Sequence, residues 1–560
     1  MTSLLDPCPG TTDVLSRDSG RFLERNNECY EALLRLSFDS GARKPESRLR
    51  CMQTVAEFCQ FNHAGRFADG ALENVALDIG LDLERSLVKE HVASLKSEVP
   101  NLRAGARRHI LHIATSILDI GGHTRTIKNW IALDSGCRHS LLVLTQGKRE
   151  IPSWITQAVE LSGGAIIVLP YEALLLHKAL WVRGLVQSGP DLVILHTFGH
   201  DSVCPVALAI RECPPVALLN HADHIFWMGG SVADAIINQR RIGMELSEER
   251  RHARKNLVLP VPLLDRPSAW TRHEACVQLG IPEEQTILVS AGRACKYIPT
   301  RTHNFVRTAG HILDREPGAH LYLVGVSLTD LEGTLDFLPH PRLHFVGPVE
   351  DVTPYQRAAD VYLEGFPFGS QTALLEAAMA GVPVVRAFSP PMQLLASSDG
   401  ALDELAPIPA SEEEYVESVS ALISEPEDRR QLGKEFRRAV LALHTGDAWR
   451  QNAHEIYTVI EGSEHFVCPL PMTKCEASPV DIGLSVWQAE REVDLGRSGF
   501  SRKVSEVLLT SAYSVRRGGD FRGAFRLLCQ CLKIGGLNSR HAMALLKLMP
   551  QRLLHVGRAN

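Results

Sequence analysis

Two cations, Arg293 and Lys296, stand three residues apart in the segment SAGRACKYIP, on a glycine-containing turn after an apolar run. That pairing suits a diphosphate, because Arg forks onto two oxygens and Lys adds a compact point charge. A second segment, DVYLEGFPFGSQTALLEAAMAGVPVV, runs from an apolar stretch through a Pro/Gly/Ser loop into an Ala- and Leu-rich helix beginning near Ser370–Thr372. The amides at that helix start, from Gly369 through residue 372, form an anion site, and the hydroxyls of Ser370 and Thr372 add donors. Glu376 lies about one turn further in, within reach of a ribose diol when phosphate sits at the helix tip. A departing nucleoside diphosphate needs such fixed positive charge where no metal supplies it.

Two further groups are candidates. HIATSILDIGGHTRTIKNW places Gly121, Gly122, His123 and Arg125 in a loop that opens a helix, where paired glycines permit close backbone approach. NHADHIFW sets His221, Asp223 and His224 after an apolar run. Three titratable groups so close together suit acid–base work or the binding of sugar hydroxyls. A base at His221 or His224 would serve an inverting transfer, whereas a retaining one would use the histidine to hold the donor sugar. A hydrogen-bonded structural pair is the other reading. His196, in DLVILHTFGH, points to the same edge. No third and fourth ligand lies near these histidines, and Cys529 and Cys531 lack a second pair, so neither metal nor cofactor is expected.

The elements that must position these residues follow from periodicity. Residues 1–104 read as amphipathic helices at spacings of three and four. From His109 the pattern changes to short apolar runs alternating with helical stretches: HILHIA, SLLVLT, GAIIVLP, DLVILHT and PPVALLN, with NLVLPVPL read as a crossover linker. The pattern restarts with TILVSAGR, HLYLVGV, RLHFVGPV, DVYLEG and GVPVVRA. Such alternation marks βαβ units and parallel sheets. The expected fold class is α/β, with Rossmann-like domains at 105–264 and 265–464 between helical extensions at 1–104 and 465–560. Two such halves bind a ligand between them, at the carboxyl ends of their strands.

A hydrophobic share of 45% permits large cores, and a net charge of −6 gives no whole-chain case for nucleic-acid binding. The thirteen cysteines form no framework and read as core thiols of a reducing compartment. No apolar run reaches a membrane span and no secretory signal is visible, so the expectation is cytoplasmic. Residues 497–560 hold twelve Lys or Arg against two acids, a solvated helical face or a contact with an anionic membrane surface or acidic partner. There YSVRRGGDFRGAFRLLCQCLKIGG and SRHAMALLKLM resemble one tetratricopeptide-type helix pair, which must dock on the body to bury its face.

Taken together, strand–GR–K followed by strand–loop–LLEAAMAGVPVV resembles glycosyltransferases of the two-Rossmann, GT-B architecture. The ending LEAAMAGVPVV looks like the family 4 type, in which a glutamate matching Glu376 holds the ribose. That family carries an earlier glutamate near the sugar, where this chain has Phe368. FPFG ahead of the acid is similar instead to bacterial cytoplasmic N-glycosyltransferases and, more distantly, O-GlcNAc transferases. There a lysine matching Lys296 meets the diphosphate, and residues matching Gln371 and Thr372 line the phosphate loop. The Gly121–Gly122 loop resembles the family 4 glycine loop facing donor and acceptor. The resemblance implies transfer from a UDP- or GDP-linked sugar, as substrate, to a glycan, lipid-linked or protein acceptor. A non-catalytic scaffold and a GT-B-type epimerase or phosphorylase are the rival readings.

Overall fold

The computed structural model describes residues 20–38, 44–86, 107–118, 121–265, 270–388, 393–493 and 500–535. Within them lie two parallel sheets. The first contains β1 (His109–Ala114), β2 (Arg138–Val143), β3 (Ile166–Val168), β4 (Leu192–His196), β5 (Val216–Asn220), β6 (Ala235–Asn238) and β7 (Asn256–Val258), in the order β3-β2-β1-β4-β5-β6-β7. The second contains β8 (Thr286–Ala291), β9 (Ala319–Val324), β10 (Leu343–Gly347), β11 (Val361–Leu363) and β12 (Val384–Val385), in the order β10-β9-β8-β11-β12. In each sheet the strand order reverses at the first strand, between β1 and β4 and between β8 and β11. These are the switch points where loops diverge and leave a crevice.

The α/β class and both Rossmann-like halves are as expected, with one correction. Asn256–Val258 is not a linker but an edge strand, paired in parallel with β6. β6 itself, within ADAIIN, has no apolar run long enough to stand out beside its glycine- and serine-rich approach.

The helical extensions are built into the first half. Helices Gly20–Phe38, Pro45–Phe61 and Gly70–Ser86 share one apolar core with Leu111 and Ile113 of β1 and with the C-terminal helices Phe500–Arg517 and Phe521–Gly535. Buried carboxylates tie the joints. Glu73 accepts from the amides of Gly229 and Gly230 at 2.6 and 3.2 Å and from the Ser231 hydroxyl at 2.5 Å. Glu46 accepts the first two amides of helix Leu175–Val186 at 3.1 and 2.9 Å, satisfying donors that the helix cannot. The basic end docks as a helix pair, but its turn falls at Gly518–Asp520, earlier than the tetratricopeptide-like reading places it. The SRHAMALLKLM segment lies outside the described residues. No helix among the described residues is long and apolar enough to cross a membrane.

Helix Gly446–Glu461 follows the second half in sequence yet packs on the first. Trp449 is fully buried edge-on to Trp130, with ring centroids 5.6 Å apart, and donates to the Pro260 carbonyl at 2.7 Å. Ala453, Ile456, Tyr457 and Ile460 join Ile110, Leu192 and Ile194 in one core. Trp449→Ala is expected to remove about 3–5 kcal/mol from the first half, read as a lower urea midpoint at an unchanged slope.

Candidate functional site

The carboxyl ends of β8 and β11 deliver the second half's groups. After β8 the chain turns through Gly292 and Arg293 into a short 3-10 turn, Ala294–Lys296. A Cβ on Gly292 would lie 2.7 Å from the Ser370 hydroxyl, so only glycine lets this turn approach the start of helix Gln371–Met379 so closely. Arg293 is exposed. Lys296 turns inward, donating from Nζ to the Gly369 carbonyl at 2.5 Å and sitting 4.3 Å over the Phe368 ring. Burial pulls its ammonium down to about 8, with Arg293 and Arg240 also lowering it and Cys295 and Glu364 opposing.

Helix Gln371–Met379 starts with Ser370 as its N-cap and no side-chain cap. Its first amides have no carbonyl one turn back and face the Gly292–Lys296 turn. Gly369 is the exception among residues 369–372, because its amide donates to the Leu395 carbonyl at 2.9 Å. The Gln371 amide group reaches Asp399 at 3.4 Å. Buried Glu364, which sequence reasoning passes over, braces the loop from behind by accepting from the amides of Ala387 and Ser397 at 3.0 and 3.1 Å.

The first half meets this site directly. Helix Gly122–Leu133 also starts without a side-chain cap, and a Cβ on Gly122 would lie 2.9 Å from the Thr372 hydroxyl. Two helix N-termini therefore face one another from opposite halves, each carrying partial positive charge. Arg125 reaches across to both oxygens of Glu376 at 3.2 Å. Burial raises the Glu376 carboxyl and Arg125 opposes that rise. Arg293, Lys296, Ser370, Thr372, Glu376, Gly122 and Arg125 thus gather on one cleft.

The histidine motif separates on folding. Asp223 is buried and accepts from Asn220 Nδ2 and Arg240 Nε, both at 2.8 Å, with a second short Arg240 contact. Arg240 continues to the carbonyls of Leu394 and Ala396, so Asp223 anchors the two halves rather than serving as a free acid or base. His224 stands edge-on to Phe368 and Trp487, at centroid distances of 4.8 and 5.9 Å, within an apolar seam with Leu394 and Leu395. That seam accounts for Phe368: it packs against helix Pro479–Val493, where the family pattern has an acid. Of the motif, His221 remains at the edge, its ring 4.5 Å from that of His123.

His123 Nε2 lies 3.0 Å from the His196 carbonyl, which only accepts, so its hydrogen is on Nε2 and Nδ1 is bare. The Nδ1 atoms of His123, His196 and His221 are all buried with no partner among the described residues. Burial, with His221 beside it, lowers His123 to about 3, and burial likewise holds His196 and His221 below the ordinary range. Burial thus disfavours charge on all three rings, and the Nδ1 of His123 is a bare acceptor. A separate group, Asp134, Cys137 and His139, brings three donor atoms within 4.8 Å of one another. It is closed by its own hydrogen bonds, since Asp134 already accepts from His454 and Tyr457, both at 2.8 Å.

Residues 285–425, which hold β8 through helix Glu412–Ser424, match the family model described as Glycosyl transferases group 1. Among solved structures the chain is similar to an O-GlcNAc transferase mutant of Thermobaculum terrenum, at 15% identity and a TM-score of 0.45, over 78% of this chain and 82% of that one. It is similar to the sucrose-phosphate synthase of Thermosynechococcus elongatus, at 17% identity and 0.44, over 64% and 100%. It is also similar to Anabaena HepE in complex with UDP and glucose, at 14% and 0.47, over 63% and 100%. No curated protein matches the chain by sequence.

Arg240→Ala would strip buried Asp223 of its guanidinium partner, leaving it only the Asn220 amide, while cutting both carbonyl contacts to 394–396. It is expected to cost about 3–5 kcal/mol and lower the melting temperature. A variant as stable as the parent would contradict this reading of the joint.

Proposed function

We propose, from the premise that the chain is a glycosyltransferase of GT-B architecture, that it takes its sugar from a nucleoside-diphosphate donor held mainly by the second half. The observation that carries this is the meeting of two uncapped helix N-termini over Lys296 and Arg293. When the sugar–phosphate bond breaks, negative charge develops on the leaving diphosphate. Fixed cations and helix-start amides stabilise it there with no reorganisation at the moment of reaction. Gln371 and Thr372 belong to the same phosphate loop. Glu376 takes the ribose hydroxyls, and Arg125, which bonds both its oxygens, stands beside the phosphates. HepE, whose complexes hold UDP and UDP-glucose, supports a uridine donor by analogy, with a guanosine donor as the alternative.

The acceptor, a glycan, lipid-linked or protein hydroxyl or amide, approaches from the first half, past Gly121, Gly122 and His123. His221 and His196 stand nearest as acceptors for its proton. Partners at a membrane surface go with the basic C-terminal helix, where Phe521 and Phe525, 56% and 60% exposed, stand one turn apart beside exposed Arg522 and Arg526. Aromatic and cationic residues on one face suit an anionic interface, here the inner face of a cytoplasmic membrane. Flotation with phosphatidylserine vesicles is expected to carry the chain up and to lose it in a Phe521→Ser/Phe525→Ser variant. Equal flotation of both proteins would exclude this surface.

Release of nucleoside diphosphate from UDP-sugars and GDP-sugars tests the main reading. Lys296→Ala and Glu376→Ala are each expected to lower the rate at least about a hundredfold; undiminished turnover in both would refute the site. Lys296 is charged below about pH 8 and loses its charge above it. Diphosphate affinity is therefore expected to stay level up to pH 8 and then weaken, by up to about tenfold per pH unit. Lys296→Arg should hold the profile level.

A further inference from the structure

One face of the first sheet, under helix Gly122–Leu133, holds a file of three imidazoles. His112 on β1, His139 on β2 and His196 at the end of β4 are fully buried beneath helix Gly122–Leu133. Trp130 of that helix stands edge-on to His112 and His196, at 5.8 and 5.9 Å. His196 Nε2 and His112 Nδ1 are 2.9 Å apart, as are His112 Nε2 and His139 Nδ1. Parallel strands ordinarily fill such positions with Val, Ile and Leu. Three polar rings in line carry a desolvation cost that packing alone does not require.

The file has a direction. His139 Nε2 lies 3.1 Å from the Asp134 carbonyl oxygen, which only accepts, so that nitrogen holds the hydrogen. His139 Nδ1 then accepts from His112 Nε2–H, and His112 Nδ1 accepts from His196 Nε2–H. The file ends beside His123 and His221, in the bare, buried Nδ1 of His196.

We propose that His196, His112 and His139 form a proton relay, in which His196 Nδ1 receives a proton in the cleft and the file delivers one to His139 beside Asp134. The source of the proton, an acceptor hydroxyl or amide, rests on the sugar-transfer reading; the relay geometry does not. The acceptor's bond to hydrogen breaks as His196 Nδ1–H forms. His196 Nε2 passes its hydrogen to His112 Nδ1, and His112 Nε2 passes its hydrogen to His139 Nδ1. His139 keeps Nε2–H and becomes the imidazolium, while the acceptor keeps the electron pair that attacks the sugar. His112 and His196 finish neutral.

Two fields favour this end state. Burial disfavours charge on His112 and His196; His139, His109 and His196 add to this at His112, as His123 and His221 do at His196. At the far end burial would raise the Asp134 carboxyl, but hydrogen bonds from His139, His454 and Tyr457 hold it well below the carboxylate range. An anion therefore faces His139, with Cys137 and Arg108 the other titratable groups around it. Helix Gly122–Leu133 acts in the same sense, with its positive N-terminus at the cleft beside His123 and its negative C-terminus at Asp134. His454, with 40% of its side chain exposed, meets Asp134 at 2.8 Å and links the far end to solvent.

Histidine-selective 15N labelling of the full chain tests this. At neutral pH, long-range proton–nitrogen correlations are expected to show His112, His139 and His196 with hydrogen on Nε2 and bare Nδ1. On acidification a single protonation event should move the hydrogens of His112 and His196 from Nε2 to Nδ1 together. Rings that titrate one by one, or an Nδ1–H on any of them at neutral pH, would overturn the relay. In transfer assays His139→Gln, two rings from the cleft, is expected to lower kcat about tenfold or more with donor KM unchanged. It should also reduce a multi-proton solvent isotope effect to that of one proton. Unchanged kcat and isotope effect would refute the relay's use in turnover. A chain that transfers no sugar at all would remove the sugar-transfer reading and leave the imidazole spectrum to decide the relay.

Discussion

Two helices from different halves start at the same place, and neither caps its own first turn. Helices Gly122–Leu133 and Gln371–Met379 bring their N-termini together where Gly122 meets Thr372. Like partial charges do not face each other without a reason, and Lys296 and Arg293 add two more cations. The proposed diphosphate would answer that excess of positive charge, and the cross-half pair Arg125–Glu376 brings a carboxylate to its border. Much of the remaining architecture serves to hold these ends in register: Arg240 between Asp223 and the 394–396 carbonyls, Glu364 behind the FPFG loop, and the seam of His224, Phe368 and Trp487.

The same helix that points its positive end at the cleft points its negative end at Asp134. Charge created at the cleft thus has a preferred direction of travel. The buried, unpartnered Nδ1 atoms of His123, His196 and His221 suit a reaction in which a hydroxyl or amide must give up a proton where burial forbids storing the positive charge. This moves the acid–base question away from Asp223 and His224, which the fold spends on cohesion between halves.

The candidate phosphate-binding residues stand out in this sequence because they are local. A turn after a strand and the first turn of a helix each lie within a few residues, so Arg293, Lys296, Ser370, Thr372 and Glu376 can be read without a structure. The sheets are legible where apolar runs are long, as in HILHIA or TILVSA, and fail where they are short, as at β6. Nothing near Asp223 announces Arg240 or the 394–396 loop, since those partners are far along the chain. His224 looks like an acid–base group until Trp487 and Phe368 are seen against it. The file of His112, His139 and His196 spans three strands and has no spacing signature: the two histidines of HILHIA are three residues apart, so alternation sends them to opposite faces of the strand.

Calorimetric titration of the full chain with UDP and GDP beside the parent nucleosides decides whether this cleft grips a diphosphate. The diphosphate is expected to bind far more tightly than its nucleoside, and the gain to vanish in Lys296→Ala. A nucleoside binding as tightly as its diphosphate, or a diphosphate gain that survives the loss of Lys296, would contradict that grip.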